Sequence, residues 1–400
     1  MGAGAAVFAA RQAFPASDRV RLGVIGVGNR GNLLIDQVPD GGEIVAVSDC
    51  FLPKCDQAQA KRNAKWRQFQ DYRQLLELKD IDGVIISTPD HARVLCSIHA
   101  CQAGKDVYAE KPLHTYIAEG RHLVSAVRKY KRILQVGSQQ RSMAMNQRAV
   151  RFIHEGGLGK VHTVMGVDYP PPNEYSPLPE EPVPAGLNWD AWLGYTPSRP
   201  YNPFLYRSWM SLRDYSGGEM TNWGAHGLDQ IQAALGTDRT GPVEFWPVID
   251  GPKSAIAFRY ENGVTVYLIM PPGDLNAGGM FYGDRKRIDI IRNNFRTDPV
   301  QLVKDLPPPA EVQKWRDDVA LWQARYHIED WLNSIRTRKD PIADVEIGHR
   351  SVSISHLANI TRQLNRRLRW NPETEQFRDD AEANNYLVRQ RRKGYELPRL

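Results

Sequence analysis

Two stretches of the chain carry side chains that could move a proton. In the first, Lys111 stands between Glu110 and Pro112, directly after the apolar run Asp106–Ala109. A lysine at the end of a buried strand is partly desolvated. Desolvation disfavours its charge and makes the amine a usable proton shuttle, or a hydrogen-bond donor to a reacting hydroxyl. Read alone, Glu-Lys-Pro is most often a surface turn. The second stretch runs Gly217-Gly218-Glu-Met-Thr-Asn222-Trp-Gly-Ala-His226-Gly-Leu-Asp229, and its apolar residues continue at Ile231, Ala234 and Leu235. That pattern is a loop entering a helix. Residues four apart share a helical face, so Asn222 and His226 point the same way once the turn is helical. A lone histidine is usually structural, so the type of residue alone leaves its role open.

A third stretch concerns phosphate rather than protons. Val20–Ile25 alternates and β-branches like a buried strand and runs into Gly26-Val-Gly28-Asn29-Arg30-Gly31, after which Leu33, Leu34 and Val38 recur at helical spacing. This is G-x-G-x-x-G in the strand–turn–helix context that the dinucleotide fingerprint requires. Gly26 permits the tight turn, Gly28 lets the backbone approach a pyrophosphate, and Gly31 lets the helix pack closely on the strand. The free N–H groups at the helix start face the phosphate charge. A second strand, Glu43–Ser48, ends at Asp49, where the fingerprint expects an acidic residue on the ribose hydroxyls. Asp49 also fits a simple strand-end cap. A carboxylate there repels a 2′-phosphate, which favours NAD over NADP.

These groups need elements to hold them, and strand and helix patterns alternate from Arg19 to Arg141. Helices are expected at Lys54–Asn63, Tyr72–Leu78 (capped by Asp71) and Ile117–Tyr130, with strands at Arg67–Phe69, Gly83–Ser87, Asp106–Ala109 and Leu134–Val136. Gly83–Ser87 is a near-continuous β-branched run, typical of a strand buried on both faces. It ends in Thr88-Pro89-Asp90-His91, with Asp90 a plausible N-cap for the next helix, which carries Val94, Ile98 and Cys101. Such turns lie at the carboxyl ends of parallel strands, where open α/β sheets bind ligands. Right-handed crossovers then build a doubly wound parallel sheet.

In this order and spacing, GVGNRG, Asp49, STPDH, AEKPL and GSQQR resemble the Gfo/Idh/MocA oxidoreductases, and the likeness runs from about Val20 to the end. The TPDH, GSQQRS and terminal NPETEQF segments are similar to the exported bacterial branch of that family. The resemblance implies an α/β protein in two parts: an NAD-binding Rossmann domain at 19–141, and a substrate-binding and oligomerisation α/β domain at 142–400 with an open, mainly antiparallel sheet. It implies cofactor contacts from Gly26, Gly28, Asn29, Arg30, Gly31 and Asp49 in the first half of the sheet. Further along, it adds Ser87, Thr88, Pro89, His91, Glu110, Lys111 and Gln139. It makes Lys111, Asn222 and His226 both catalytic and substrate-binding, His226 as an acid/base or hydroxyl ligand. Many relatives have Asp where this chain has Asn222, and a neutral amide cannot stabilise a charged histidine as a carboxylate does. A homo-oligomer, dimer or tetramer, is also implied.

The second half is expected to hold a helix at Asn146–Glu155, a strand at Lys160–Val167 and a Pro-rich loop at Tyr169–Pro184. Strands follow near Val243–Ile249, Ser254–Tyr260 and Val264–Met270, then helices at Trp315–Ser334 and Ile347–Leu368. The loop residues Trp189, Trp192, Tyr201, Tyr206, Arg207, Trp209 and Tyr215 suit carbohydrate rings. Core packing explains several of them equally well, so only Arg207 and Trp209 are read as substrate contacts.

A chain of 400 residues with 42% hydrophobic and 24% charged residues is ordinary for a protein with sizeable cores. No apolar run reaches the length of a membrane span. The net charge of +6 is spread out. Its densest part, Arg362–Arg369, interleaves Leu364 and Leu368 and reads as a solvated helix face rather than a nucleic-acid site. The four cysteines lack C-x-x-C spacing and a histidine cluster, so neither zinc nor another metal is expected. Met1–Ala16 is small and apolar and resembles the tail of a twin-arginine export signal; a packed N-terminal arm reads the same residues as well. Export implies a periplasmic enzyme.

Three functions fit these features. One is an NAD-dependent oxidoreductase acting on the carbinol of a sugar or sugar derivative, with tightly held cofactor. Another is an NAD-using glycosidase that oxidises, eliminates and reduces at the sugar ring, like the family's α-N-acetylgalactosaminidases. The last is a non-catalytic cofactor-binding protein, against which Lys111 and His226 argue.

Overall fold

The structure is a computed structural model. It describes residues 18–400 apart from 250, 252–253, 272, 274, 276, 293, 301 and 304–323. The export-signal expectation at Met1–Ala16 lies outside these residues, as does the first part of the helix expected from Trp315.

The first sheet has six parallel strands in the order β3-β2-β1-β4-β5-β6. They are β1 (Val20–Ile25), β2 (Gly42–Ser48), β3 (Arg67–Phe69), β4 (Gly83–Ile86), β5 (Asp106–Ala109) and β6 (Leu134–Val136). β4 and β5 are buried at every position, as their apolar composition demands when helices cover both faces. Strand order reverses between β1 and its neighbours, so a crevice opens beyond the carboxyl ends of β1 and β4. The crossovers are α1 (Asn29–Ile35), α2 (Pro53–Arg62), α3 (Tyr72–Leu76), α4 (Asp90–Gln102) and α5 (Ile117–Lys129). Asp71 caps α3, accepting a bond of 2.9 Å from the Arg73 N–H. Asp90 does not serve as the cap expected of it. Its carboxylate turns to the Ser216 hydroxyl at 2.8 Å and to Arg93 at 3.2 Å, both buried charge or hydrogen-bond partners that outweigh one helix N–H.

One helix from far along the chain completes this layer. Arg325–Thr337 buries Ile328, Trp331 and Leu332 among Leu22, Leu34 and Tyr108. The Rossmann core is therefore closed by residues near the end of the sequence.

The second sheet, among the described residues, runs β13-β12-β11-β7-β10-β9-β8-β14-β15, with β15 (Gln376–Phe377) at its edge. β7 (Val161–Val167) and β10 (Thr265–Met270) pair in parallel, and the other pairs are antiparallel. β8 (Glu244–Pro247) and β9 (Ile256–Arg259) fall where alternation places them. β11 (Gly279–Gly283), β12 (Lys286–Ile291) and β13 (Asn294–Asp298) extend the sheet beyond the strands expected. Packed on this sheet are α6 (Ala144–His154) and α9 (Glu219–Leu235), with the long helix Val345–Leu364 beside α9. That last helix stops early. Asn365 takes a left-handed conformation (φ 46°), and Leu368–Asn371 becomes β14, paired with β8. The Arg362–Arg369 run is accordingly no single solvated face. Arg362 is buried against Asp168, whereas Arg366 and Arg367 pair at the surface with Asp380 and Glu244.

Candidate active site

A single cleft of about 850 Å³ begins at the glycine loop and ends at α9. Its floor is the carboxyl edge of the first sheet; its roof is α7 (Trp189–Leu193), α8 (Pro203–Ser208) and the chain near Tyr395.

The loop after β1 does what its glycines allow. Gly26 holds φ +88°, where a side chain is strained. A Cβ on Gly31 would lie 2.1 Å from the Gly26 carbonyl and 2.8 Å from Ser87 Oγ, so only glycine lets α1 sit this close. Above Gly28 the space is open, with Lys54 Nζ, 3.9 Å away, the nearest atom to a Cβ built there. Asp49 faces the cleft from the end of β2. Its two oxygens accept 2.9 Å bonds from the Val27 and Phe51 N–H groups, so it caps backbone as well as presenting charge. Tyr206, reaching down from α8, and Lys54 complete this wall.

Ser87, Thr88 and Pro89 line the cleft, as do Asn29, Arg30, Glu110, Lys111 and Gln139. Glu110 accepts from Arg30 Nε at 2.8 Å and from Gln139 Nε2 at 3.1 Å, which ties the glycine loop to β5 and to the turn after β6. His91 is not on the cleft wall. It is buried beneath α7, bonded through Nε2 to the Trp192 carbonyl at 2.7 Å and set edge-on to Trp192 and Tyr215. Gly31 likewise acts from behind the wall, through the close packing just described.

Lys111 and α9 meet at the far end. The Lys111–Pro112 bond is cis. Lys111 Nζ donates to Asn222 Oδ1 at 2.6 Å and to the Asn222 carbonyl at 3.1 Å. Burial brings its amine down to about 8, against the opposing pull of Glu110 and Asp90. His226, one helical turn beyond Asn222, lines the same end and stacks edge-on with Trp223. Burial first, then the positive charges of Arg292, Lys111 and Arg30, hold its imidazole well below the ordinary range. It is therefore neutral at physiological pH and can offer a substrate hydroxyl a hydrogen bond. Arg207, exposed, and Trp209, half-buried, line the cleft. Tyr201 and Tyr215 are buried in the aromatic cluster with Trp189 and Trp192 instead.

Several supporting residues escaped the sequence reading. Arg93 donates to the Pro112 carbonyl and, at 2.6 Å, to that of Thr88, binding the two catalytic turns together. In GSQQR, Gln140 donates to the Ala277 carbonyl at 2.7 Å, and Arg141 Nε donates to Asp229 at 2.9 Å. That motif locks the first sheet to the helix bearing His226. Arg292 reaches the site from the turn after β12, and Tyr72, His99 and Tyr395 line the end remote from Lys111. Only the Arg93 and Arg141 positions, next to motifs, gave any signal.

The residues present fit a nicotinamide dinucleotide. Above Gly28 the backbone is open to the cleft, and the cleft wall presents Thr88 Oγ1, buried and, among the described residues, without a hydrogen-bond partner. A parallel sheet of this order, with that loop at its switch point and two proton-transfer groups opposite, defines the class of NAD-binding Rossmann oxidoreductases.

Sequence comparison agrees and narrows it. The description "oxidoreductase family, NAD-binding Rossmann fold" matches residues 20–138, and "oxidoreductase family, C-terminal alpha/beta domain" matches 173–397. The chain belongs to the Gfo/Idh/MocA oxidoreductase family. The inositol 2-dehydrogenase of Salmonella typhimurium (strain LT2) is 27% identical over 172 residues, 42% of this chain and 50% of that protein. The scyllo-inositol 2-dehydrogenase (NAD(+)) of Bacillus subtilis (strain 168) is 32% identical over 147 residues, 36% of this chain and 42% of that one. The chain thus spans about half the length, or somewhat less, of these curated relatives. Two solved structures share the fold. Aldose-aldose oxidoreductase from Caulobacter crescentus, complexed with glycerol, has a TM-score of 0.62 at 16% identity, covering 88% of this chain and 99% of that one. The WlbA dehydrogenase from Bordetella pertussis, in complex with NADH and UDP-GlcNAcA, has a TM-score of 0.61 at 18% identity with the same coverages.

Proposed function

We propose that the protein is an NAD-dependent oxidoreductase that moves hydride to and from a carbinol of a sugar or sugar derivative. The observation that carries this reading is the continuity of the cleft: the dinucleotide loop stands at one end and the Lys111–Asn222 pair with His226 at the other. The cofactor, when bound, supplies the hydride acceptor and donor. The protein's own part is positioning and proton transfer. Lys111 and His226 face the carbinol; Lys111, with its amine lowered by burial, takes the hydroxyl proton, and neutral His226 hydrogen-bonds the carbinol oxygen. Asn222 fixes Lys111, and Arg207 and Trp209 offer the substrate a hydrogen-bonding and an aromatic face. Inositol dehydrogenases among the relatives support a polyol-like substrate.

We further propose that the cofactor is NAD rather than NADP, by repulsion between Asp49 and a 2′-phosphate, and that it stays bound through turnover. The roof supports retention, because α7 is fastened to the chain's last residues: Tyr395 donates to Asp190 at 2.8 Å and Arg392 donates to the Gly194 carbonyl at 2.6 Å. Retention suits an exported enzyme, which the small apolar residues of Met1–Ala16 favour, since no soluble nicotinamide pool would replenish it. Denaturing the purified protein and assaying the supernatant for nicotinamide tests retention. Screening monosaccharides, polyols and glycosides tests the reaction. Reduction of the bound nicotinamide by free sugars, up to one equivalent per site, supports the dehydrogenase, and release of an aglycone without net reduction supports the glycosidase in its place.

A further inference from the structure

Asn222 links Lys111 to a second carboxylate that stands outside the cleft. Its amide is held at both ends: Oδ1 accepts from Lys111 Nζ at 2.6 Å, and Nδ2 donates to Glu219 Oε2 at 3.0 Å. Only this orientation satisfies both partners, because the reverse would aim an NH2 at an ammonium and a carbonyl at a carboxylate. Glu219 opens α9, is half-buried and does not line the cleft, so it touches neither substrate nor cofactor. Among the described residues no ion pair claims its carboxylate; its hydrogen bond is the one to Asn222. A carboxylate at position 222 would sit beside it, and two like charges that close cannot both ionise.

We propose that Glu219 is a positioning residue: it locks the Asn222 amide with oxygen toward Lys111 and, through that polarised amide, sets the ionisation of the lysine. The arrangement gives Lys111 a fixed acceptor without placing a formal negative charge in contact with it. The other charges around Lys111 come in pairs. Glu110, on its own segment, is bonded to Arg30 of α1, and Asp90 and Arg93 of α4 bond each other. His226 of α9 is held neutral. Glu219 reaches Lys111 through the Asn222 amide rather than by direct contact.

The inference rests on the proposed role of Lys111, and its test separates the two. In the purified full chain, the pH dependence of Lys111 acetylation by acetic anhydride, mapped by peptide mass spectrometry, reads lysine ionisation without any turnover. Glu219→Ala removes the acceptor, so Lys111 becomes reactive at lower pH than in the wild type. Carbinol oxidation, measured at a pH where the lysine is neutral in every variant, falls on the order of tenfold to a hundredfold because Lys111 is no longer held in place, with KM and nicotinamide content unchanged. Glu219→Gln keeps an oxygen for Asn222 Nδ2; it recovers most of the lost turnover and titrates between the other two. Its recovery also shows that the Glu219→Ala loss is not a folding defect. Unaltered Lys111 titration in Glu219→Ala overturns the inference. A shifted titration with wild-type turnover leaves it standing and overturns the catalytic reading of Lys111 instead.

Discussion

At the scale of single residues, burial decides the chemistry. Lys111 and His226 are both bases whose charge the interior disfavours, by differing amounts. Lys111 comes down to about 8, whereas His226 falls well below its ordinary value. Oxidation of a carbinol needs the lysine neutral. Its rate should therefore rise as pH increases through about 8, with the reverse reduction falling over the same interval. His226 is neutral across that range and should add no limb near neutrality. A pH–rate profile for both directions checks the sign. Asp49 caps backbone, and the proposed NAD preference assigns it a charge role as well. Asp49→Ala should lower the NAD/NADP affinity ratio by roughly one to three kcal/mol, the usual worth of hydrogen bonds to a charged group. The ratio is the readout, because loosening of Val27 and Phe51 weakens both cofactors alike; an unchanged ratio would remove Asp49 from the specificity role.

At the scale of elements, α9 matters as much as the residues on it. Arg141 holds the same face of the helix that carries Asn222 and His226, through its pair with Asp229 one turn further on. Arg141→Ala would strand a buried carboxylate and cost roughly 3–5 kcal/mol, read as a lowered midpoint in urea unfolding. How far such elements could be read in advance depended on their patterning. β1, the glycine turn, β4 and α9 carry strong periodicity bounded by glycine or proline, and they lie where the residues put them. β11–β13 did not announce themselves, because Gly278, Gly279 and Gly283 break the alternation and the charged run Asp284–Arg287 reads as a loop. His91 belongs to the same lesson. Its place beside Pro89 in a ligand-binding turn was legible, but its side-chain direction was set by the aromatic cluster of a distant loop. The Lys111–Asn222–Glu219 chain was half legible: helical spacing joined Asn222 to His226, and nothing local joined either to Lys111.

At the scale of the molecule, the two sheets share one cleft, and segments distant in sequence close it. Trp331 of Arg325–Thr337 fills the Rossmann core, and the segment from Arg389 to Tyr395 reaches α7, Tyr116 and Asp214. A cofactor in that cleft would lie under side chains from both halves, which is the physical ground for the proposed retention and the proposed hydride transfer at α9. The most direct test is a single-turnover stopped-flow record of nicotinamide reduction, using NAD-loaded wild type, Lys111→Ala and His226→Ala with the best carbinol substrate from the screen. All three proteins should hold NAD equally, and each variant should reduce it on the order of 10²–10⁴ more slowly, as expected when a general acid or base is removed. Reduction at the wild-type rate in both variants, or a wild-type protein that fails to hold NAD at all, would contradict the account.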